Sequence, residues 1–269
     1  MDARIQTLGS LPFTMRIVRL PGIHHDANAV LLIGSEEAIL IDSGTAWYQL
    51  LQQERIIGQC GDACKLREIV LTSRRYPFSG GCLSISQHFD NIPISAHHSA
   101  ISSLSTGDFF TTWANRFDSD MPVTITESVN DSDVFPLGNG QICAIALPGH
   151  CSDGICYHVP EKNLLISGLL IPRADRPTRW DMPTGCLPDV VESLRRVRKL
   201  KLETIIPLQG PAIKGKEHVL DVLNRHIEFF ENCIDADGTI PKSWSRPAQT
   251  ALWLTPHPPW PLEEREEIN

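Results

Sequence analysis

Asn28-Ala-Val-Leu-Leu-Ile-Gly-Ser-Glu-Glu-Ala-Ile-Leu-Ile-Asp-Ser-Gly44 is the stretch from which the fold can be read. Two apolar runs, Ala29–Gly34 and Ala38–Asp42, flank a Gly34-Ser-Glu-Glu turn, which predicts an antiparallel hairpin with a buried face. Toward the N-terminus, Met15–Leu20 predicts a further strand. Beyond the hairpin, Trp47–Gly58 carries helical spacing, and Ile69-Val-Leu-Thr72 is a short buried strand ending in a polar cluster. Gly80-Gly81 then precedes an amphipathic helix over Cys82–Phe89, and Ile92–Ala96 is strand-like. The order is a hairpin followed by β-α-β-α-β, which is the α/β class.

Farther along, Ser99–Phe117 predicts helix interrupted at Gly107-Asp108, with Phe109, Phe110, Trp113 and Phe117 forming a packed cap. Val123–Ser128, Gln141–Leu147, Gly154–His158 and Asn163–Ile171 predict four strands in series, hence a second sheet. Asp189–Lys199 and Glu217–Cys233 space their apolar residues as helices do, around a strand at Thr204–Pro207. Two mixed sheets, each with its own helices, predict a four-layer αββα sandwich over residues 1–240. Residues 241–269 read as a proline-rich, acidic C-terminal extension carrying Trp244, Trp253 and Trp260.

The chain has 269 residues with 24 basic and 32 acidic side chains, a net charge of −8, and 42% apolar residues. That composition fits a folded globular protein and argues against a broad nucleic-acid-binding face. No apolar run approaches the length of a membrane span. The N-terminal Met1-Asp-Ala-Arg-Ile lacks a basic-then-apolar leader, so the cytosol is the expected compartment, and the eight cysteines, without a Cys-x-x-Cys pair, read as thiols.

Five segments in this order resemble the metallo-beta-lactamase superfamily, from roughly Thr14 to Phe230. They are Asn28–Ile33 with Ala38–Gly44, Ile69–Thr72 leading to Gly80-Gly81, Pro148-Gly-His150, Leu164–Gly168, and Ile205-Ile-Pro207 leading to Gly210-Pro211. The stretch from Gly168 to Leu200, with Asp181-Met-Pro and Glu192-Ser-Leu194, is similar to the glyoxalase II-like hydrolase branch. The resemblance implies two bound metals and hydrolysis of thioesters, lactones, phosphodiesters or related substrates. It also implies a His-x-His-x-Asp-His run between the strand-end threonine and Gly-Gly. Here the four matching positions are Ser73, Arg75, Pro77 and Phe78. The bridging aspartate position holds Leu169 and the last histidine position Gln209, so His150 alone of seven ligands is kept. One imidazole does not hold zinc, since stable sites use three or four protein donors. No cofactor is expected.

The residues left in the pocket suggest other chemistry. Arg75 is a permanent cation that is expected to pair with Asp42, or else to receive a carboxylate or phosphate. His150 is expected to anchor its loop; with Arg75 it is also the candidate catalytic pair of a metal-independent hydrolase. Cys151 and Ser73 are nucleophile candidates without an evident base. His97 and His98, with His150 and Asp42, could form a displaced mononuclear metal site. Tyr76, Phe78 and Leu169 make the former metal cavity apolar, and Gln209 borders it. The leading expectation is a catalytically degenerate member with a binding, regulatory or assembly role and a small anionic or acyl ligand. A metal-independent or mononuclear hydrolase of thioesterase type is the alternative, and a protein partner or homodimer the third class.

Overall fold

The computed structural model describes residues 15–24, 26–61, 65–117, 119, 123–138 and 140–240. The expected extension at 241–269, with Trp244, Trp253 and Trp260, lies outside them. Six strands form the first sheet in sequence order: β1 (Arg16–Leu20), β2 (Ala29–Ile33), β3 (Glu37–Ile41), β4 (Lys65–Val70), β5 (Ile94–His97) and β6 (Glu127–Val129). The first three pair antiparallel and the rest parallel, so the sheet is mixed. The predicted hairpin is β2–β3, in register from Val30 opposite Ile41 to Ile33 opposite Ala38. Its turn requires Gly34, because a Cβ there would stand 2.1 Å from the Leu137 carbonyl oxygen.

The second sheet runs in the order β12 (Ile213–Lys214), β11 (Thr204–Ile206), β10 (Leu164–Ile166), β9 (Ile155–Val159), β8 (Gln141–Ala146) and β7 (Val134–Pro136). Only β10 and β11 pair in parallel. Helices α1 (Gln49–Cys60), α2 (Tyr76–Ser79), α3 (Cys82–His88), α4 (His98–Thr106) and α5 (Phe109–Thr112) belong to the first half. Helices α6 (Leu187–Arg198) and α7 (Lys216–Asp235) belong to the second.

Strand alternation shows how the four layers hold together. Val30, Leu32, Ile39 and Ile41 point between the sheets and meet Ile155, Tyr157, Val159, Leu164, Ile166 and Ile206. Their neighbours Ala29, Leu31, Ile33, Ala38 and Leu40 point outward to Ile56 of α1 and Ile85 of α3. On the far side, Leu165 and Ile205 pack against Val190, Leu194 and Val197 of α6 and Val219, Leu223 and Phe230 of α7. With both faces of each sheet covered, the strands read as near-continuous apolar runs. Each fully buried aliphatic side chain contributes about 1.5–3 kcal/mol.

Two expectations change. The strand foreseen at Val123–Ser128 is only Glu127–Val129, and it closes the first sheet beside β5 instead of opening the second. The second sheet starts at β7, a three-residue strand too short to give a periodic signal. The break at Gly107-Asp108 is where α4 ends on a left-handed Gly107 and Asp108 caps α5 by accepting the Phe110 N–H.

Candidate functional site

Because β3, β4 and β5 run parallel, their carboxyl ends share one edge, where Asp42 and Ser73–Arg75 follow β3 and β4 and His97 ends β5. Asp42, at φ 59°, closes β3. Its Oδ1 accepts the Thr72 N–H at 2.8 Å and its Oδ2 the Thr72 hydroxyl at 2.8 Å. Complete burial pushes its carboxyl up to about 8, so it carries a proton at neutral pH.

Arg75 does not pair with Asp42, contrary to expectation. Its guanidinium donates to the carbonyl oxygens of Thr111 and, at 3.1 Å, Pro183, and lies 5.4 Å from the centre of the Trp113 ring. A neutral Asp42, already satisfied by Thr72, offers that cation little, whereas two carbonyls and an aromatic face offer direct partners. Among the described residues no carboxylate forms an ion pair with Arg75, and its Nε–H has no hydrogen-bond partner. The neighbouring Arg74 makes the buried ion pair instead. Its Nε lies 3.3 Å from Asp153 Oδ1, its backbone N–H donates to Asp153 Oδ2, and its Nη atoms donate to the Ser99 carbonyl and the Thr184 hydroxyl. Together the two arginines tie the start of α4, the end of α5 and the 183–184 turn across this edge.

From the second sheet, the loop between β8 and β9 delivers His150 and Cys151. His150 Nδ1 is 2.8 Å from the Arg179 carbonyl oxygen and 3.2 Å from the Thr178 hydroxyl. A carbonyl only accepts, so Nδ1 carries the proton and Nε2 is a bare lone pair, buried and without a partner. Burial, and then the charge of Arg75, hold the imidazole well below its usual range, so it is neutral. The expected loop-anchoring role of His150 is therefore present. Cys151 Sγ lies 3.6 Å from Ser73 Oγ, and burial pushes the thiol up to about 12, which removes it as a nucleophile at neutral pH. Ser73 Oγ accepts the Arg75 N–H and, among the described residues, meets no imidazole.

The apolar residues at the former ligand positions are buried. Tyr76, Phe78, Cys151, Leu169, Met182 and Leu208 share one buried cluster beneath the helices of the first sheet. Gln209 is half-buried just past β11, where its N–H donates to the Pro172 carbonyl. Gly168, before Leu169, is left-handed at φ 49°, and a Cβ there would approach Thr72 Cβ to 2.8 Å.

The displaced mononuclear centre is not assembled. His97 Nδ1 is engaged by Ser99, accepting its N–H at 3.3 Å and meeting its hydroxyl at 2.8 Å, which caps α4. His98 is exposed, its ring centre 4.0 Å from that of His97 and tilted 41° to it. Among the described residues no three His, Cys, Asp or Glu side chains converge as metal donors. The seven positions do not fit the metals of the fold family either: a guanidinium, a proline and two hydrocarbon side chains give no lone pairs to zinc. Asp153, Arg179 and Trp113 complete the network, Arg179 lying 5.6 Å from the same indole that Arg75 covers and pairing with Asp181. Nothing in their spacing announced the Arg74–Asp153 pair; its one signal was the position of Asp153 in the His150 loop.

No protein-family model matches the chain. Acyl-coenzyme A thioesterase MBLAC2 from Bos taurus is 28% identical over 165 residues, 53% of this chain and 57% of that protein, so the chain matches little more than half of its relative's length. Among solved structures, BJP-1, a subclass B3 metallo-beta-lactamase of Bradyrhizobium japonicum, superimposes with a TM-score of 0.64 at 16% identity, over 84% of this chain and 93% of that one. The di-iron-bound form of TTHA1623 gives 0.61 at 22% identity, over 77% and 96%. The chain thus has the metallo-beta-lactamase fold without a metal-donor cluster among its described residues.

Proposed function

We propose that the protein is a metal-independent, non-hydrolytic binding protein that takes a small acyl or anionic ligand between Arg75 and His150. One observation carries this reading. Two of the former ligand positions hold a buried guanidinium and a buried imidazole, and each keeps one polar atom, Arg75 Nε and His150 Nε2, without a hydrogen-bond partner among the described residues. Buried polar atoms are nearly always satisfied, so two bare atoms on adjoining loops mark a place for a further group. Arg75, Pro77, Phe78 and Leu169 offer a metal no lone pair with which to activate water, and the imidazole, held well below its usual range, is a weak base. The partial similarity to an acyl-coenzyme A thioesterase, and to the glyoxalase II-like branch, supports an acyl thioester as the ligand class.

The test combines metal analysis of untagged protein re-exposed to zinc, manganese and iron(II) with incubation on acetyl-coenzyme A, reading released thiol and thermal shift. Substoichiometric metal, no thiol release and a raised melting temperature are expected. Metal-dependent or metal-free thiol release overturns the reading.

A second reading, self-association, is favoured by α1 and the turn before it. Trp47, Leu50 and Ile57 are 54%, 69% and 49% exposed while Gln52 and Gln53 are buried at 7%, the reverse of a solvent-facing helix. Sedimentation of the intact chain reads the dimer directly; a monomer that stays monomeric at high concentration removes this reading.

A further inference from the structure

Helix α1 carries its apolar side outward. Trp47, on the turn that leads into it, and Leu50, Leu51 and Ile57 share the solvent face with Glu54 and Gly58, while Gln52 and Gln53 turn inward, where the Gln53 amide donates to the Ser84 hydroxyl of α3. Leu83 of α3, beside that contact, is exposed as well. The open parts of these five apolar side chains come to on the order of 500 Å2, toward the upper end of the largest patch a monomer leaves uncovered. Gly58 has no purpose within the chain. A glycine inside a helix gives up stability, yet a Cβ here would meet nothing within 4 Å among the described residues, and its φ is not left-handed. What a bare backbone on an exposed apolar stripe does permit is the close approach of another chain.

At the carboxyl end of the stripe a cavity of about 150 Å3 opens beside Ile57. Cys60, Leu66 and Phe89 also line it, and Lys65 and Asp90 stand exposed at its rim. A carbon-lined cavity of this size admits a benzene ring. At the opposite end stands the exposed indole of Trp47. At the helical rise Trp47 and Cys60 lie roughly 20 Å apart on one rigid element, so the indole does not reach the cavity of its own chain.

We propose that the occupant is a second copy of this chain, its α1 antiparallel to the first across a two-fold axis beside Glu54. The proposal rests on the self-association reading above and names its surface. Such an axis exchanges the two ends of the stripe, so each Trp47 enters the other copy's cavity and each Leu50 lies over the other's Gly58. There the indole meets the carbon of Ile57, Leu66 and Phe89, with the Asp90 carboxylate at the rim to accept its N–H and the Lys65 ammonium to face its ring. Both indoles and both cavities are then used, so the assembly closes at two. The paired faces remove about 1,000 Å2 from water, the area at which specific interfaces begin. Glu54 opposes the pairing, because the axis sets it against its own copy.

Sedimentation velocity of the intact chain and three variants across a concentration series tests this. The wild-type chain is expected to pass from monomer to dimer. Trp47→Ala should weaken the dimer at least tenfold, the loss of a buried aromatic anchor on each copy. Gly58→Gln should weaken it as strongly with an unchanged circular dichroism spectrum, since the new side chain meets nothing in its own chain and blocks only the partner. Glu54→Gln should tighten it by removing the like-charge pair. A dimer indifferent to Trp47→Ala and Gly58→Gln, or loosened by Glu54→Gln, overturns this interface while leaving self-association standing. A chain that stays monomeric at every concentration overturns both, so the two failures are distinguishable.

Discussion

Replacing Asp42 with asparagine isolates a buried carboxyl whose titration lies far above its usual range. Burial raises the Asp42 carboxyl from 3.8 to about 8, with only the Thr72 N–H and hydroxyl opposing it. Between those values the folded chain keeps the proton and the unfolded chain has released it. The folded pKa lies above the unfolded one, so the stabilising contribution is present below pH ~4 and is lost as the pH rises through ~8. The slope approaches 1.4 kcal/mol per pH unit in the middle of that window, so from pH 5 to 8 the loss is on the order of a few kcal/mol. Asp42→Asn keeps the shape of the protonated acid, accepts the Thr72 N–H through its oxygen, and titrates nowhere in this range. Asp26, raised to about 6 by burial, and the depressed His150 and His226 bend the curves of both proteins alike. Urea unfolding of the two chains across pH 5–9 should therefore give a difference that shifts by a few kcal/mol in favour of the variant as pH rises, then levels near pH 8.5. Parallel curves would falsify the argument, because Asp42 would then be ionised in the folded state.

Four further outcomes follow from the same geometry. Ser73→His combined with Arg75→His presents three imidazoles including His150, and about one zinc per chain is expected in a chelator-competition titration; a folded double variant that binds none shows that His150 is not held in a ligand pose. Gly168→Ala should cost roughly 1–3 kcal/mol in denaturant unfolding, since φ is 49° and the new Cβ meets Thr72; an unchanged midpoint contradicts the contact. Cys151, buried and raised to about 12, should resist iodoacetamide at pH 8 until the chain unfolds; rapid alkylation of the native protein, read by peptide mass spectrometry, would restore it as a nucleophile candidate. Leu169→Asp should lower the melting temperature more at pH 8 than at pH 5, because an ionised carboxylate beside Phe78, Tyr76 and Leu208 has no counter-charge in contact; equal losses at both pH values mean that Arg75 reaches it.

The layers were legible in the sequence because burial writes itself into apolar runs. Ala29–Ile33 and Glu37–Ile41 are covered on both faces, and α6 and α7 carry one apolar stripe each, whereas the strand read at Ile69–Thr72 is Lys65–Val70, its polar first half giving no apolar run. Strands of two or three residues, such as β7 and β12, carry no period and went unseen. At the site, the empty ligand positions could be read residue by residue, and Tyr76, Phe78 and Leu169 do gather in one cluster. What could not be read was pairing. Asp42 directly follows β3 and looks like an anion, yet burial neutralises it, and Arg75 goes to carbonyls instead. Protonation depends on three-dimensional burial, so a partner chosen from formal charge alone was the wrong one.

The substitutions make physical sense only as a set. Removing two divalent cations from a site built of carboxylates and imidazoles leaves unpaired anions in a dry space, each costing several kcal/mol. Here the two aspartate positions of the resemblance are Pro77 and Leu169, so those anions are gone along with the donors. Asp42, which remains, is relieved by taking a proton. Positive charge is supplied by the chain itself: Arg74 is balanced by Asp153 and Arg179 by Asp181, and Arg75 is held by carbonyls and Trp113. Restoring one original ligand alone therefore moves the site away from either solution. The network that replaced the metals reaches α4, α5 and the 179–184 loop, so it also fixes the segments that frame His150. The same contacts that make the fold independent of metal hold the Ser73–Arg75 and His150 loops in place, and they leave Arg75 Nε, the Tyr76 hydroxyl and His150 Nε2 buried without a hydrogen-bond partner among the described residues.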